Sequence, residues 1–202
     1  MEIQEKNVIL AYSEAEDNGK KLLRTLFPSI DFDAATQPKT RSIIERVTTF
    51  DEAVEELNRR ASDGDELASQ LLNDWEQLHE SATPDLVAYI KLRIVCAALN
   101  EGWEPEFTED EERWYPWHYL WTQGEIDRMS DEEKQQRALI GVDDYRQDGR
   151  AEAGFAYSHS SNAPSHTNTN LGSRLCCKDE KTARHAATTF IRLWADFKLI
   201  RK

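Results

Sequence analysis

The sequence predicts an α+β fold. A helical N-terminal part covers about residues 1–80. An α+β part over 81–202 holds a small antiparallel sheet of about three strands, covered by a C-terminal amphipathic helix. The two parts could also run together as one continuous domain, as the length of 202 residues allows. Three observations carry this reading. Apolar residues recur at 3–4 spacing in several N-terminal segments. The stretch Trp114-Tyr115-Pro116-Trp117-His118-Tyr119-Leu120-Trp121 packs five Trp or Tyr residues into eight positions. Finally, Ala183, Ala187, Phe190, Trp194 and Phe197 form the cleanest helical stripe in the chain.

In order, Val8-Ile9-Leu10-Ala11-Tyr12 is an apolar patch too short to type. Ser13 and Glu16 have the spacing of a capping box, so a helix is expected to start there and end at Pro28, with Leu22, Leu23, Leu26 and Phe27 as its stripe. Residues 28–40 read as a loop. Ile43, Ile44 and Val47 suit a helical turn, and the box Thr49-Phe50-Asp51-Glu52 opens a helix to about Arg60. Leu67, Leu71, Trp75 and Leu78 mark one face of another helix after the break at Ser62-Asp63-Gly64-Asp65. Thr83-Pro84-Asp85 is an N-terminal signature, and the helix it starts runs to Asn100 and stops at Gly102. Between Leu86 and Leu99 its only charges are Lys91 and Arg93, so it is expected to be the central, most buried helix.

Strands are expected over about 113–121, 154–160 and 172–177. Alternation puts Tyr115, Trp117, Tyr119 and Trp121 on one face of the first, and Trp114, Pro116, His118 and Leu120 on the other. Both faces are apolar, so this is expected to be the central strand, covered on both sides. Pro116 cannot donate to a ladder and belongs near the strand start or at an edge. Residues 122–153 read as an excursion from the sheet, with a capping box at Ser130 and Glu133, and are a usual place for binding function. Ser160 to Leu171 is a polar loop or strand extension. Asp179 caps a last helix over 179–199.

The formal net charge is −13. It is uneven: Gly172–Lys202 carries +5 and the remainder −18. Overall acidity disfavours non-specific nucleic-acid binding, while the basic C-terminal segment leaves room for a local exception. No apolar run is long enough for a membrane span. Met1 to Lys6 lacks the pattern of a signal peptide, and three cysteines (Cys96, Cys176, Cys177) fit a reducing, cytoplasmic setting.

Several motifs agree in order and spacing across about residues 40–200. They are Glu45-Arg46-Val47-Thr48-Thr49-Phe50-Asp51-Glu52-Ala53, Ala98-Leu99-Asn100-Glu101-Gly102-Trp103, Tyr115-Pro116-Trp117, Gly172-Ser173-Arg174-Leu175 after a polar Ser/Asn/Thr stretch, and Phe190-Ile191-Arg192-Leu193-Trp194-Ala195-Asp196-Phe197. With these the chain resembles a family of uncharacterised small proteins carried by Bacteroidales phages, prophages and mobile elements. The resemblance implies a gene context in a gut bacterium, with a cytoplasmic place in the host and association with the virion left open. It implies no activity.

The chemistry legible in the residues is sparse. Cys176 and Cys177 adjoin Lys178 at a helix N-terminus, a place that can lower a thiol pKa, with His159 or His185 as conceivable bases. On a strand one of the two thiols would face out. No nucleophile-elbow or Cys-box signature accompanies them. The cysteine and histidine spacings are not those of zinc sites, and the acidic run Glu101–Glu112 does not follow an EF-hand pattern. No catalytic residue, metal or cofactor is therefore expected. The function expected is non-catalytic, through contact with a protein partner. The alternative is nucleic-acid binding by Arg174, Lys178, Lys181, Arg184 and Arg192, with Phe155 and Tyr157 stacking on bases. Behind these stand a Cys-based enzyme and an acidic mimic of nucleic acid using Glu101–Glu112.

Overall fold

The computed structural model describes residues 5–32, 41–78, 80, 82–106, 108, 110–146, 152–164 and 173–202. The chain divides into two compact units, Met1–Arg41 and Ser42–Lys202. In the first, α1 (Glu5–Glu14) and α2 (Asp17–Leu26) enclose a small core of Val8, Tyr12 and Phe32, with the Tyr12 and Phe32 rings stacked at 4.3 Å. The helix expected to begin at Ser13 does not. Ser13 ends α1, where its hydroxyl bonds the Leu10 carbonyl, and α2 starts after Glu16 with no side-chain cap. The apolar patch at Val8 is already helix, so two short helices replace one longer one. The rest of the expected 28–40 loop, from residue 33, lies outside the described residues.

The second unit is an α+β fold. Its helices are α3 (Ile43–Arg46), α4 (Phe50–Ser62), α5 (Glu66–Leu78), α6 (Pro84–Leu99), α7 (Gln123–Ile126), α8 (Asp131–Gln136), α9 (Glu180–Thr189) and α10 (Ile191–Lys198). Its sheet has three antiparallel strands, β1 (Glu112–Thr122), β2 (Ile140–Gly141) and β3 (Glu152–Pro164), in the order β1-β3-β2. The capping box at Thr49 forms as the spacing requires. Glu52 accepts from Thr48 Oγ1 at 2.7 Å and from the backbone amides of Thr48 and Thr49. Those hydrogen bonds, with the Thr48 hydroxyl foremost, hold its carboxyl down at about 2.

Helix α6 buries Ala88, Ile90, Leu92, Ile94, Val95, Cys96, Ala98 and Leu99, and packs against α4, α5 and α10. It is the central helix that its near-absence of charge predicts. At its end Glu101 (φ 52°) and Gly102 (φ 89°) turn the chain back through the left-handed region. The buried Asn100 side chain then acts as a clamp. Its amide donates to the Cys176 carbonyl at 2.9 Å, and its Oδ1 accepts from the Lys178 amide at 3.1 Å. Lys178 Nζ bonds Glu101 at 2.5 Å, and Glu101 also faces Arg46, which reaches the buried Glu56 at 2.6 Å. Two of the sequence motifs, through Arg46 and through Asn100 and Glu101, therefore meet Lys178 in one polar network at the end of α6.

Three sheet and helix expectations are corrected. Residues 172–177 are not the third strand. Ser173–Leu175 is a 3-10 helix, and only Cys177 pairs, in a single bridge to Trp114, because the Asn100 clamp occupies this backbone. The third strand is Ile140–Gly141, from within the excursion. The aromatic strand β1 lies at the sheet edge rather than the centre, which Pro116 permits. The last helix is two, broken at Phe190, whose ring is buried. Beneath them Trp194 is fully enclosed and donates Nε1–H to the Ala186 carbonyl at 3.1 Å.

The C-terminus ties the excursion down. Tyr145 donates its hydroxyl to Asp196 at 2.6 Å, Arg201 grips the same carboxylate with two bonds, and the Arg146 amide meets the Ile200 carbonyl at 2.7 Å.

Removing the clamp tests this architecture. Asn100→Ala leaves the Cys176 carbonyl and the Lys178 amide without their partner, and is expected to cost about 1–3 kcal/mol. The denaturant midpoint of the variant should fall with an unchanged m-value; an unshifted midpoint would show that the clamp contributes nothing.

Candidate interaction surface

Strand β1 has two unlike faces. A register shift between Trp117 and His118, with Ser158 as the extra residue on β3, re-aims the side chains on either side of it. Trp117, just before the shift, is 39% and Tyr119, just after it, 49% exposed on one face, and Leu120 on the His118 face is 39% exposed. The expectation that this strand is covered on both faces is therefore overturned. Among the described residues of Ser42–Lys202, α9 is the helix most extensively packed on the sheet, with smaller contributions from α7 and α10. Trp117 stacks on His159 of β3 with the rings 5.8 Å apart and nearly parallel, and its Nε1–H bonds Ser161 at 2.5 Å. Tyr119 meets His159 edge-on and Trp121 at 5.9 Å, and the Arg137 guanidinium lies 5.2 Å from the Trp121 ring centroid. The result is a continuous ribbon of aromatic side chains ending in a cation.

Beside the ribbon runs a groove of about 490 Å³ that shares His159 and Arg137 with it. Glu132, Glu133, Glu180 and Arg184 also line it. Arg137 is held by Glu133 at 2.9 Å and points at the carbonyls of Tyr157 and Ser158. The groove is thus polar and of mixed charge.

The inner face of the same strand is a packed one. His118 lies parallel to Phe155 at 5.0 Å and beside Trp194 at 5.3 Å. Its Nδ1 is 3.0 Å from Lys198 Nζ, and Nε2 is buried without a well-formed hydrogen bond. Burial, aided by the Lys198 charge, pushes the imidazole down to about 3. Much of Lys198 is exposed, but its ammonium sits against His118 and 5.0 Å from the Trp194 ring centroid. That desolvation pulls it to about 8.

The five basic residues singled out in the sequence are not gathered in one place. Lys178 is engaged with Glu101. Lys181 and Arg184 are exposed on α9, but Arg184 lines the groove that also holds Glu132, Glu133 and Glu180. Arg174 lines a separate cleft with Trp103 and Glu104. Arg192 is exposed on α10. Phe155, offered as a base-stacking residue, is buried in the core at 2% exposure, and Tyr157, at 7%, lies under Arg184 in the lining of the groove. The thiols are likewise enclosed: Cys96, Cys176 and Cys177 are all buried, so neither of the adjacent pair faces out. Burial raises Cys176 to about 12, and contact with Cys96 together with burial raises Cys177 well above its ordinary value. This is the reverse of activation. His185 bonds the Val47 carbonyl, and His159 stacks on Trp117. Among the described residues no group of His, Cys, Asp and Glu is placed to hold a metal ion, and no helix is long and apolar enough to cross a membrane.

Among the exposed large side chains of the fold are Trp117 and Tyr119, expected to be covered. Two signals pointed the other way: Pro116 marked an edge strand, and the partner segment Ser158-His159-Ser160-Ser161-Asn162 is polar, as a strand with one wet face should be. Comparison of the chain with protein-family models, with curated proteins and with solved structures returns no match.

The low imidazole pKa has a signed consequence. Between about pH 6.5 and 3 the unfolded chain takes up a proton on His118 that the folded chain refuses, so this contribution is present above pH 6.5 and lost as pH falls toward 3. His118→Phe keeps a ring and removes the titration. Its stability relative to wild type should rise steadily as pH is lowered across that window in denaturation measurements. A constant difference would show that His118 titrates normally.

Proposed function

We propose that the chain is a non-catalytic accessory protein acting through contact with a protein partner, and that Trp117–Thr122 of β1 is the contacting strand. One observation carries this reading: Trp117 and Tyr119 stand 39% and 49% exposed side by side on one face of an edge strand. Exposed large apolar groups on a long edge are what soluble proteins ordinarily avoid, because an open edge invites pairing. Beyond the Trp114–Cys177 bridge the outer edge of β1 has no strand partner among the described residues. An extended segment can add there by main-chain hydrogen bonds, with alternate side chains set against the aromatic ribbon. Trp and Tyr supply much of the binding energy at such contacts. The motif resemblance to proteins of Bacteroidales phages and mobile elements supports placing the partner in the bacterial host or in the element's own products.

Binding of nucleic acid through Arg174, Lys178, Lys181, Arg184 and Arg192 is the alternative. Its weakness is that the carboxylates Glu101, Glu132, Glu133 and Glu180 lie among those cations.

The double variant Trp117→Ala/Tyr119→Ala separates the two. Loss of the ring stack on His159 should cost about 1 kcal/mol of stability, so the variant folds. It should lose at least about tenfold in retention of a protein partner from a lysate of the organism that carries the gene. Arg174→Ala/Lys181→Ala/Arg184→Ala should retain that partner. Nuclease-sensitive binding that falls steeply with salt, and that only the triple variant loses, would transfer the function to the basic residues.

A further inference from the structure

A second site lies away from β1, at the open end of the α5–α6 pair. There α5 and α6 diverge, and the segment 103–105 with the 3-10 helix Ser173–Leu175 closes a cleft of about 460 Å³. That is within the range of small-molecule sites. Leu67, Leu71 and Ala97 supply apolar lining, with Trp103 as a large flat wall. Trp103 is held in place by the left-handed pair Glu101 and Gly102 and by its own amide, which bonds the Asn100 carbonyl at 2.9 Å.

Two arginines line the cleft, Arg93 from α6 and Arg174 from the 3-10 helix. The ion pair of Arg93 with Asp74 is loose, at 3.8 Å. Arg174 is exposed and makes no hydrogen bond or ion pair among the described residues. The opposing charge on the cleft is Glu104. Among the lining residues two arginines stand against the one carboxylate of Glu104, with Asp74 facing Arg93 from outside the lining. The position of Arg174 is not left to a flexible loop, because the Asn100 clamp fixes the backbone that follows it.

We infer that this cleft binds a small organic anion, a flat apolar body bearing a carboxylate or phosphate monoester. The body lies against Trp103 and the leucines, and the charged group meets Arg174 and Arg93. Guanidinium suits both headgroups because its paired N–H donors match two oxygens at once. The site is independent of the β1 surface.

Three probes of one shape test it by calorimetry on the full chain: 2-naphthoate, 2-naphthyl phosphate and the neutral 2-naphthalenemethanol. The two anions should bind and the alcohol should bind at least about tenfold more weakly. The tighter of the two anions identifies the headgroup. Arg174→Met keeps the length and apolar stem, should leave the thermal midpoint unchanged, and should weaken the anions about tenfold without affecting the alcohol. Glu104→Gln should tighten the anions by about twofold, since it removes the opposing charge. Trp117→Ala/Tyr119→Ala should leave anion binding unchanged, which separates this site from the strand surface. Equal affinity for the alcohol and the anions, or anion binding untouched by Arg174→Met, would overturn the inference.

Discussion

The structure of Ser42–Lys202 depends on burying α6 around nearly its whole circumference. A helix with eight buried residues cannot be satisfied by one neighbour, and here α4, α5 and α10 each take a side of it. Full burial of each Leu, Ile or Val contributes on the order of 1.5–3 kcal/mol, so this packing outweighs any single surface interaction in the molecule. The charged residues that α6 does carry sit where helices part. Lys91 lies over the Phe50 and Trp75 rings, and Arg93 faces the cleft beside α5. The end of the same helix then sets the path of the distant segment 176–178 through Asn100. One helix thereby fixes both the core and the position of Arg174.

The same constraint explains why the sheet is left half covered. Helices α9 and α10 are committed to the inner side, where Ala183, Ala186, Ala187 and Trp194 meet His118 and Phe155. The small alanines let α9 approach closely. The other described helices of Ser42–Lys202 are engaged with α6 or are too short to cover a strand eleven residues long. The outer side of β1 is consequently half exposed at Trp117 and Tyr119, whose rings meet His159, Ser161 and Trp121. Stacking among them is worth about 0.5–1.5 kcal/mol per pair, less than enclosure would give. A monomer gains little by keeping Trp and Tyr there, whereas a strand that receives a partner gains a great deal.

Local chemistry was legible in the sequence and long-range placement was not. The box at Thr49 and Glu52, the Ser130 cap, the Pro84 start and the Gly102 stop all read correctly, because each depends on residues within one turn of itself. The α+β class and the central place of α6 followed from periodicity and from the rarity of charge. Ser13–Glu16 misled because the box spacing occurs inside a helix as readily as before one. Cys176-Cys177 resembles a strand in composition, but the Cys176 carbonyl goes to Asn100, 76 residues away, and only Cys177 pairs with Trp114. The two-residue strand Ile140–Gly141 is too short to show a period. The aromatic block was the hardest case. Alternation reports which residues share a face, not which face is covered, and the extra residue at Ser158 shifts the pattern midway.

The fate of the basic C-terminal segment follows from the same limit. As sequence it is a cationic stretch in an acidic chain, and it invites a reading as one surface. Folding distributes it. Lys178 goes to Glu101, Arg201 to Asp196 and Lys198 to the His118 ring, while Arg184 lies over Tyr157 in a groove of carboxylates. Charges paired in this way support packing and offer little to phosphate. Arg174 is spent on none of these pairs. It lines a cleft together with Leu67, Leu71, Trp103 and a second arginine, Arg93. A cation's place in the fold, and not its place in a cluster along the chain, therefore decides whether it can serve a ligand.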